Sequence, residues 1–173
     1  MIDAPGIETD RLSLRAPRAM DWDAWAAFAR SDRACFVGGP FAPGMAWRAF
    51  AHVVGHWVLR GFGMFVVTPR GSDRPLGMAG PWYPADWPEP EIAWSLWSAE
   101  AEGKGYAFEA AQAARDHACR ALGWSTAVSY IDPANTRSIR LAQRLGAVHD
   151  PEAAAPAGSA CLVYRHSARG AAA

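Results

Sequence analysis

Lysine is almost missing from this 173-residue chain: Lys104 is the only one, against sixteen arginines. Excess charge is missing as well, with 17 basic and 17 acidic residues giving a formal net charge of zero. No global field therefore draws the protein to nucleic acid or to an anionic membrane. Cysteine is scarce and odd in number. Cys35, Cys119 and Cys161 are too widely spaced for a disulfide framework or a clustered zinc site, so three buried thiols in a reducing cytosol are expected. No apolar run reaches the ~18 residues of a membrane span. The opening stretch, Met1 to Asp10, carries Asp3, Glu8 and Asp10 where a signal peptide would have a basic end and an apolar stretch. These absences leave a cytoplasmic protein as the expectation.

What is present suits one compact unit. The chain is 51% hydrophobic and 20% charged, enough apolar material for a core at ordinary surface charge. Neither repeats nor a composition break divides it, so residues 1–173 read as a single mixed α/β (α+β) domain with a frayed end over 168–173.

Periodicity places the elements. Glu8 to Ala16 alternates around Leu12 and Leu14 and predicts a first strand. Asp21 and Asp23 favour a helix start ahead of Trp22, Trp25 and Phe28, and a second helix is expected over Met45 to Arg60. Phe62 to Thr68 and Leu76 to Tyr83 predict a hairpin, and Glu91 to Trp97 a further strand with Ile92, Trp94 and Leu96 on one face. Gly105 to Leu122 carries a stripe of alanines at 107, 111, 114, 118 and 121, a helix able to pack close to a sheet, with Asp116 and Arg120 one turn apart. Ser125 to Ile131, Asn135 to Leu145 and Cys161 to His166 then read as strand, short basic-faced helix and strand.

Chemistry concentrates around Glu102-Gly103-Lys104-Gly105-Tyr106-Ala107, between a strand and the long helix. Glycines let backbone bend around a ligand, and a helix start offers unpaired N–H groups and a positive dipole end, which suits a pyrophosphate. The stretch lacks the Ser or Thr that a Walker loop places after its lysine, and the third glycine of a dinucleotide fingerprint. An inert connection remains the other reading of such a turn. His52 and His56 stand four apart on a helix without an evident third ligand, so no metal is expected. Trp82, Trp87, Trp94 and Trp97 cluster around the Glu91 strand, as core or as walls of a pocket for an apolar or cationic amine.

The order of these segments resembles the GNAT superfamily of N-acetyltransferases. That family's loop reads Gln/Arg-x-x-Gly-x-Gly/Ala, followed downstream by Asn-x-x-Ala/Ser at the start of a helix that ends in Leu-Gly. Here the matching residues are Glu102 to Ala107, Asn135-Thr136-Arg137-Ser138 and Leu145-Gly146. Thr9-Asp10-Arg11-Leu12 and Val163-Tyr164-Arg165 extend the likeness towards the ribosomal-protein alanine acetyltransferase branch. The resemblance implies a mostly antiparallel central sheet with a V-shaped splay between two parallel strands, flanked by about four helices. It implies acetyl-CoA as cosubstrate, no metal, and a small-molecule amine or a protein N-terminus as acceptor. Neither nucleic acid nor membrane is an implied partner, and the state would be monomer or homodimer.

Roles follow by position. Gly103, Lys104, Gly105, Tyr106 and Ala107 would hold the pyrophosphate, with Lys104 otherwise a solvated cation. The backbones of Ser95, Leu96 and Trp97 would meet the thioester and the pantetheine arm, or else simply pair in the sheet. Asn135 would bond the pantetheine amides, or serve as a helix cap. Ser138 would contact the leaving thiolate, or be a plain polar residue of a short helix. Glu91 precedes Glu102 by eleven positions, the spacing at which some relatives place a general base. That role needs a pKa raised by burial near Trp94 or Trp87, and an exposed strand-start glutamate is the alternative. Two positions depart from the pattern: Glu102 replaces Gln or Arg, and Ala142 stands where many relatives carry a tyrosine. Both would also fit a degenerate domain that binds acyl-CoA without transferring it.

Overall fold

The computed structural model describes residues 4–167 of the chain. Eight strands form one sheet: β1 (Ile7–Glu8), β2 (Leu12–Arg15), β3 (Phe65–Pro69), β4 (Gly77–Trp82), β5 (Glu91–Leu96), β6 (Thr126–Ile131), β7 (Val148–His149) and β8 (Leu162–Ser167). Four α-helices accompany them: α1 (Trp22–Ala29), α2 (Pro43–Arg60), α3 (Tyr106–Ala121) and α4 (Thr136–Arg144). Strand order is β1-β2-β3-β4-β5-β6-β8-β7, and every neighbouring pair is antiparallel except β5 with β6.

That parallel pair barely forms. β4 and β5 stay in register over six residue pairs, from Gly77 opposite Leu96 to Trp82 opposite Glu91. β5 and β6 meet only at Glu91 opposite Val128, where the Val128 N–H donates to the Pro90 carbonyl at 2.9 Å. Beyond this point the two strands part. Inside the opening Ser129 Oγ donates to the Ile92 carbonyl at 2.6 Å and meets His166 Nε2 at 2.9 Å, so a side chain bridges strands that no longer pair. Because the hydroxyl proton goes to Ile92, the imidazole Nε2 carries the hydrogen that meets Ser129. Burial, with Arg115 adding to it, lowers the His166 pKa to about 4 and keeps the ring neutral.

Two apolar layers hold the sheet. Ala110 and Ala114 of α3 pack with Leu12, Leu14, Phe65, Val67 and Leu76, and the small side chains let the helix axis approach closely. Trp25, Phe28, Ala46, Phe50 and Val53 of α1 and α2 form another cluster with Val66, Met78 and Trp97. α4 sits beyond the splay, its Ala142 buried against Ile131, Ala147 and Tyr164. Arg115, itself buried in α3, donates to the Leu145 carbonyl at 2.6 Å, and Arg144 lies over the Phe108 ring. These contacts tie α4 to α3 across the opening.

Three expectations need correction. The strand expected over Glu8 to Ala16 is a tight hairpin: Ile7 pairs with Leu14 and Glu8 with Ser13, and the Thr9 N–H closes the turn on the Leu12 carbonyl. The alanine stripe is buried at 110, 111, 114 and 118, whereas Ala107 is half-buried and Ala121 exposed. The thiols are free but not all buried, for Cys35 is exposed and Cys119 and Cys161 are half-buried. The frayed end expected over 168–173 lies outside the described residues. None of the described helices is long and apolar enough to cross a membrane.

Candidate active site

The splay opens into a cavity of about 730 Å³ that runs from β5 and β6 to the segment after α1. Glu91, Ser95, Asn135 and Ser138 all line it, so four of the expected site residues share one space. Leu96, Trp97 and the loop Gly103–Ala107 do not.

Glu91 opens β5 at the point where the two strands still touch. It is 7% exposed, and its carboxylate accepts from Trp87 Nε1 at 2.6 Å and from the Tyr130 N–H at 3.4 Å. Burial raises its pKa to about 7, against the two N–H donors, which work to lower it. Charge in a poorly hydrated site is costly, and two hydrogen bonds do not replace a full hydration shell. The carboxylate is thus poised to exchange a proton near neutral pH. The exposed strand-start alternative does not describe it.

On the opposite wall, α4 begins at Asn135, whose Oδ1 accepts from the Ser138 N–H at 3.2 Å. This is an N-cap, and it leaves the Asn135 amide donors for other partners. Ser138 Oγ accepts from Trp94 Nε1 at 3.2 Å, which spans the splay from β5 to α4 and fixes the hydroxyl position.

The backbones of Ser95, Leu96 and Trp97 do not all face the same way. Carbonyls of Pro90, Ile92 and Leu96 all turn to the β6 side, where they accept from Val128 N, Ser129 Oγ and an Arg33 guanidinium nitrogen. Alternation along a strand puts the backbone groups of Trp94 on the same edge. Trp97 instead donates its N–H to the Leu76 carbonyl at 2.9 Å, and the Ser95 carbonyl is turned onto β4. A Cβ on Gly77 would collide with that carbonyl, which is why glycine is required there. Trp94 and Leu96 thus present backbone groups on the open edge, whereas Ser95 and Trp97 turn theirs to the β4 side.

The glycine loop precedes α3. Gly103 and Gly105 have φ of 72° and 78°, a left-handed backbone that favours glycine, and no side chain caps the helix. The first N–H groups of α3 thus face outwards with the positive end of the helix dipole. Arg11 braces the loop by donating to the Lys104 carbonyl at 2.8 Å, while its guanidinium pairs with Glu109 at 2.6 Å and lies over the Tyr106 ring. Lys104 is exposed, and Ala107 sits half-buried in the first helical turn.

Glu102 does not repel from an open position. Its carboxylate pairs with Arg33 at 2.7 Å and with Arg137 at 2.7 Å, so it is held between the segment after α1 and the start of α4. Burial pushes its pKa up, yet the two guanidiniums outweigh this and hold it below the usual carboxylate range. Arg33 and Arg137 escaped sequence reasoning because arginine is the default cation of this chain. Their partner lies 69 and 35 positions away, beyond any local pattern.

Both histidines of α2 have structural surroundings. His56 is buried and stacked on Trp82, with Nδ1 at 2.8 Å from the Phe62 carbonyl and Nε2 accepting from the Tyr83 N–H at 3.0 Å. Burial lowers its pKa, which keeps the ring neutral. His52 packs edge-on against Trp82. Among the described residues no group of three or more His, Cys, Asp or Glu is placed to hold a metal ion.

Comparison with known proteins returns one family. The GNAT acetyltransferase domain model matches residues 11–148. An acetyltransferase from Agrobacterium tumefaciens strain C58 is similar in crystal structure, at 35% identity and a TM-score of 0.89 over 96% of each chain. Two more distant structures share the fold. A ribosomal-protein-S5-alanine acetyltransferase from Vibrio fischeri is 18% identical with a TM-score of 0.69, over 95% of this chain and 97% of that one. A ribosomal L7/L12 α-N-protein acetyltransferase in complex with coenzyme A is 15% identical with a TM-score of 0.70, over 94% and 98%. Among curated proteins nothing matches.

Proposed function

The chain belongs to the GNAT acetyltransferase family, and from that premise we propose that it transfers an acetyl group from acetyl-CoA to a primary amine, by direct attack within a ternary complex. One observation carries the reading: a buried carboxylate with a pKa of about 7 lies in the cavity that also exposes Ser138 and Asn135. A substrate ammonium must lose a proton before its nitrogen can attack a carbonyl, and Glu91 is the group able to take it near neutral pH. An L7/L12 acetyltransferase of the same fold binds coenzyme A, and the residues present here fit that molecule. The uncapped start of α3 and the left-handed glycines offer main-chain donors to a pyrophosphate. Lys104, Arg33 and Arg137 supply cations around the loop.

Acetyl-CoA supplies the activated acyl carbon. Glu91 accepts the proton from the ammonium, directly or through water, and the freed lone pair forms the new C–N bond. As the tetrahedral adduct collapses and the C–S bond breaks, the Ser138 hydroxyl donates to the departing sulfur, and the second proton shed by the attacking nitrogen neutralises the thiolate. Trp94 Nε1 already occupies one acceptor lone pair of that hydroxyl, which leaves its hydrogen free to turn to the sulfur. The Trp94 backbone on the open β5 edge offers an N–H and a carbonyl to the pantetheine arm, and the Asn135 amide adds a donor. The three free cysteines agree with a reducing, cytoplasmic setting. The domain spans residues 1–173.

Calorimetry tests the cofactor half. Coenzyme A should bind with a stoichiometry of one. Lys104→Glu, a charge reversal at an exposed position, should weaken binding by about tenfold without lowering the melting temperature of the free protein. Unaltered affinity in this variant would remove the loop from the site.

A further inference from the structure

The acceptor half of the cavity has a chemistry of its own. Its walls come from Trp25 in α1, Phe36 and Phe41 in the segment between α1 and α2, and Trp82 and Trp87 around the β4–β5 connection. The indole N–H groups of Trp25 and Trp87 already donate, to the Ala46 carbonyl and to Glu91. Those rings therefore present faces and edges, not unsatisfied donors. Phe36 and Val37 are 45% and 43% exposed beside the cavity, an apolar rim.

Charge in the cavity has one sign. Glu91 lies inside and Asp86 and Asp132 are exposed on its lining, while no described lining residue is a lysine or an arginine. This is not a consequence of the chain's composition, which contains sixteen arginines. Arg33 and Arg137, two and one positions from the lining residues Cys35 and Ser138, are turned to Glu102, and Arg48, next to Ala49, is exposed and does not line the cavity. An ammonium finds carboxylates and aromatic faces here. A carboxylate attached next to that ammonium would be desolvated against indole rings with no lysine or arginine on the lining to meet it, His52 being packed edge-on against Trp82.

We propose that the acceptor is an aromatic or otherwise apolar alkylamine without a carboxylate, its ring against Trp82, Trp87 and Phe41 and its amino group at Glu91. The inference rests on the acetyl-transfer reading and narrows it. The cavity of about 730 Å³ is shared with the thioester end of the cosubstrate, so the acceptor has only part of that space, enough for a small organic ligand, and the aromatic walls offer few partners for the amide groups of a peptide. A free amino acid is excluded by its carboxylate. A protein N-terminus is disfavoured by the polar main chain that would have to follow it inwards.

Four acceptors separate these possibilities: tryptamine, tryptophan, spermidine and a tetrapeptide with an N-terminal alanine. Coenzyme A binding is measured first by calorimetry on the full chain, and thiol release from acetyl-CoA is then followed with each amine. Tryptamine should exceed tryptophan in kcat/KM by at least about a hundredfold, the penalty expected for an unpaired buried carboxylate, and should also exceed spermidine and the peptide. Asp86→Arg, at an exposed position, should narrow the tryptamine-to-tryptophan ratio without changing coenzyme A affinity. Failure to bind coenzyme A would overturn the acetyl-transfer reading itself. Binding with tryptophan, spermidine or the peptide preferred, or with none of the four acetylated, would overturn the acceptor proposal and leave the cofactor reading standing. An unmoved ratio in Asp86→Arg would remove the charge argument.

Discussion

Towards α3 the splay is bounded by the free edge of β5, and outside the cavity lining lie a left-handed glycine turn and an uncapped helix start, all of them main chain. Towards α1 and α2 the cavity is made of side chains, indole and phenyl rings from α1, the segment after it and the β4–β5 connection. Main-chain recognition depends little on residue identity, so Glu102 can replace the family's Gln or Arg once Arg33 and Arg137 hold it. Side-chain recognition has no such tolerance. In the proposed reading the first region meets the cosubstrate and the second selects the amine. Glu91 stands where the two regions meet, at the last contact between β5 and β6.

The comparison breaks most visibly at that junction. Glu91 has a folded pKa raised to about 7, above its ordinary value of 4.5, so the folded protein binds a proton that the unfolded chain releases. Stability from this group is full below pH 4.5 and is lost as pH rises through 7. Relative to Glu91→Gln, wild type should lose about 3 kcal/mol between pH 4.5 and 8. His166 works in the other direction. Its depressed pKa contributes stability above 6.5 that is lost as pH falls towards 4, equally in both proteins. Urea titrations of the pair across this range isolate Glu91, and parallel curves would mean that its carboxylate is hydrated after all.

Ser138 sharpens the comparison within the cofactor wall. Ser138→Ala should lower kcat and kcat/KM together by about ten- to a hundredfold while coenzyme A affinity holds within about twofold, since the bond to sulfur strengthens only as the thiolate forms. Equal losses in binding and turnover would make it a cofactor contact. The smallest effect belongs to Glu102. Glu102→Gln releases Arg33 and Arg137 from their exposed or half-exposed ion pairs, and coenzyme A should bind a few-fold more tightly at low salt, with the gain fading as salt rises. Weaker binding would show instead that the carboxylate positions the two arginines for phosphate.

How much of this was legible in the chain follows the same division. α3, β5 and the glycine loop were readable because each is contiguous and has a strong period or turn signal. Glu91 was readable as a candidate through its spacing from the loop, whereas the burial that raises its pKa against the Trp87 hydrogen bond comes only with the fold. The β1–β2 hairpin was missed because its turn, Thr9 to Leu12, interrupts a run whose alternation continues around Leu12 and Leu14. That Trp94 turns its backbone to the open edge was not legible, because edge assignment depends on which carbonyls face β6, and only the observed partners of Pro90, Ile92 and Leu96 reveal that parity. The Arg33–Glu102–Arg137 bridge has no local signature. The aromatic lining was legible only in Trp82, Trp87 and Trp94, since Trp97 packs in the core and Trp25, Phe36 and Phe41 come from distant segments.

The most direct test of the account is the pH profile of kcat/KM for wild type and Glu91→Gln with a confirmed amine acceptor. Wild type should rise through a limb near pH 7, where Glu91 ionises. The variant should lack that limb and fall ~10²–10⁴-fold below wild type at neutral pH, with the gap shrinking as pH approaches the pKa of the acceptor amine and coenzyme A affinity unaltered. Coincident profiles would contradict the account and assign proton removal to another group or to water.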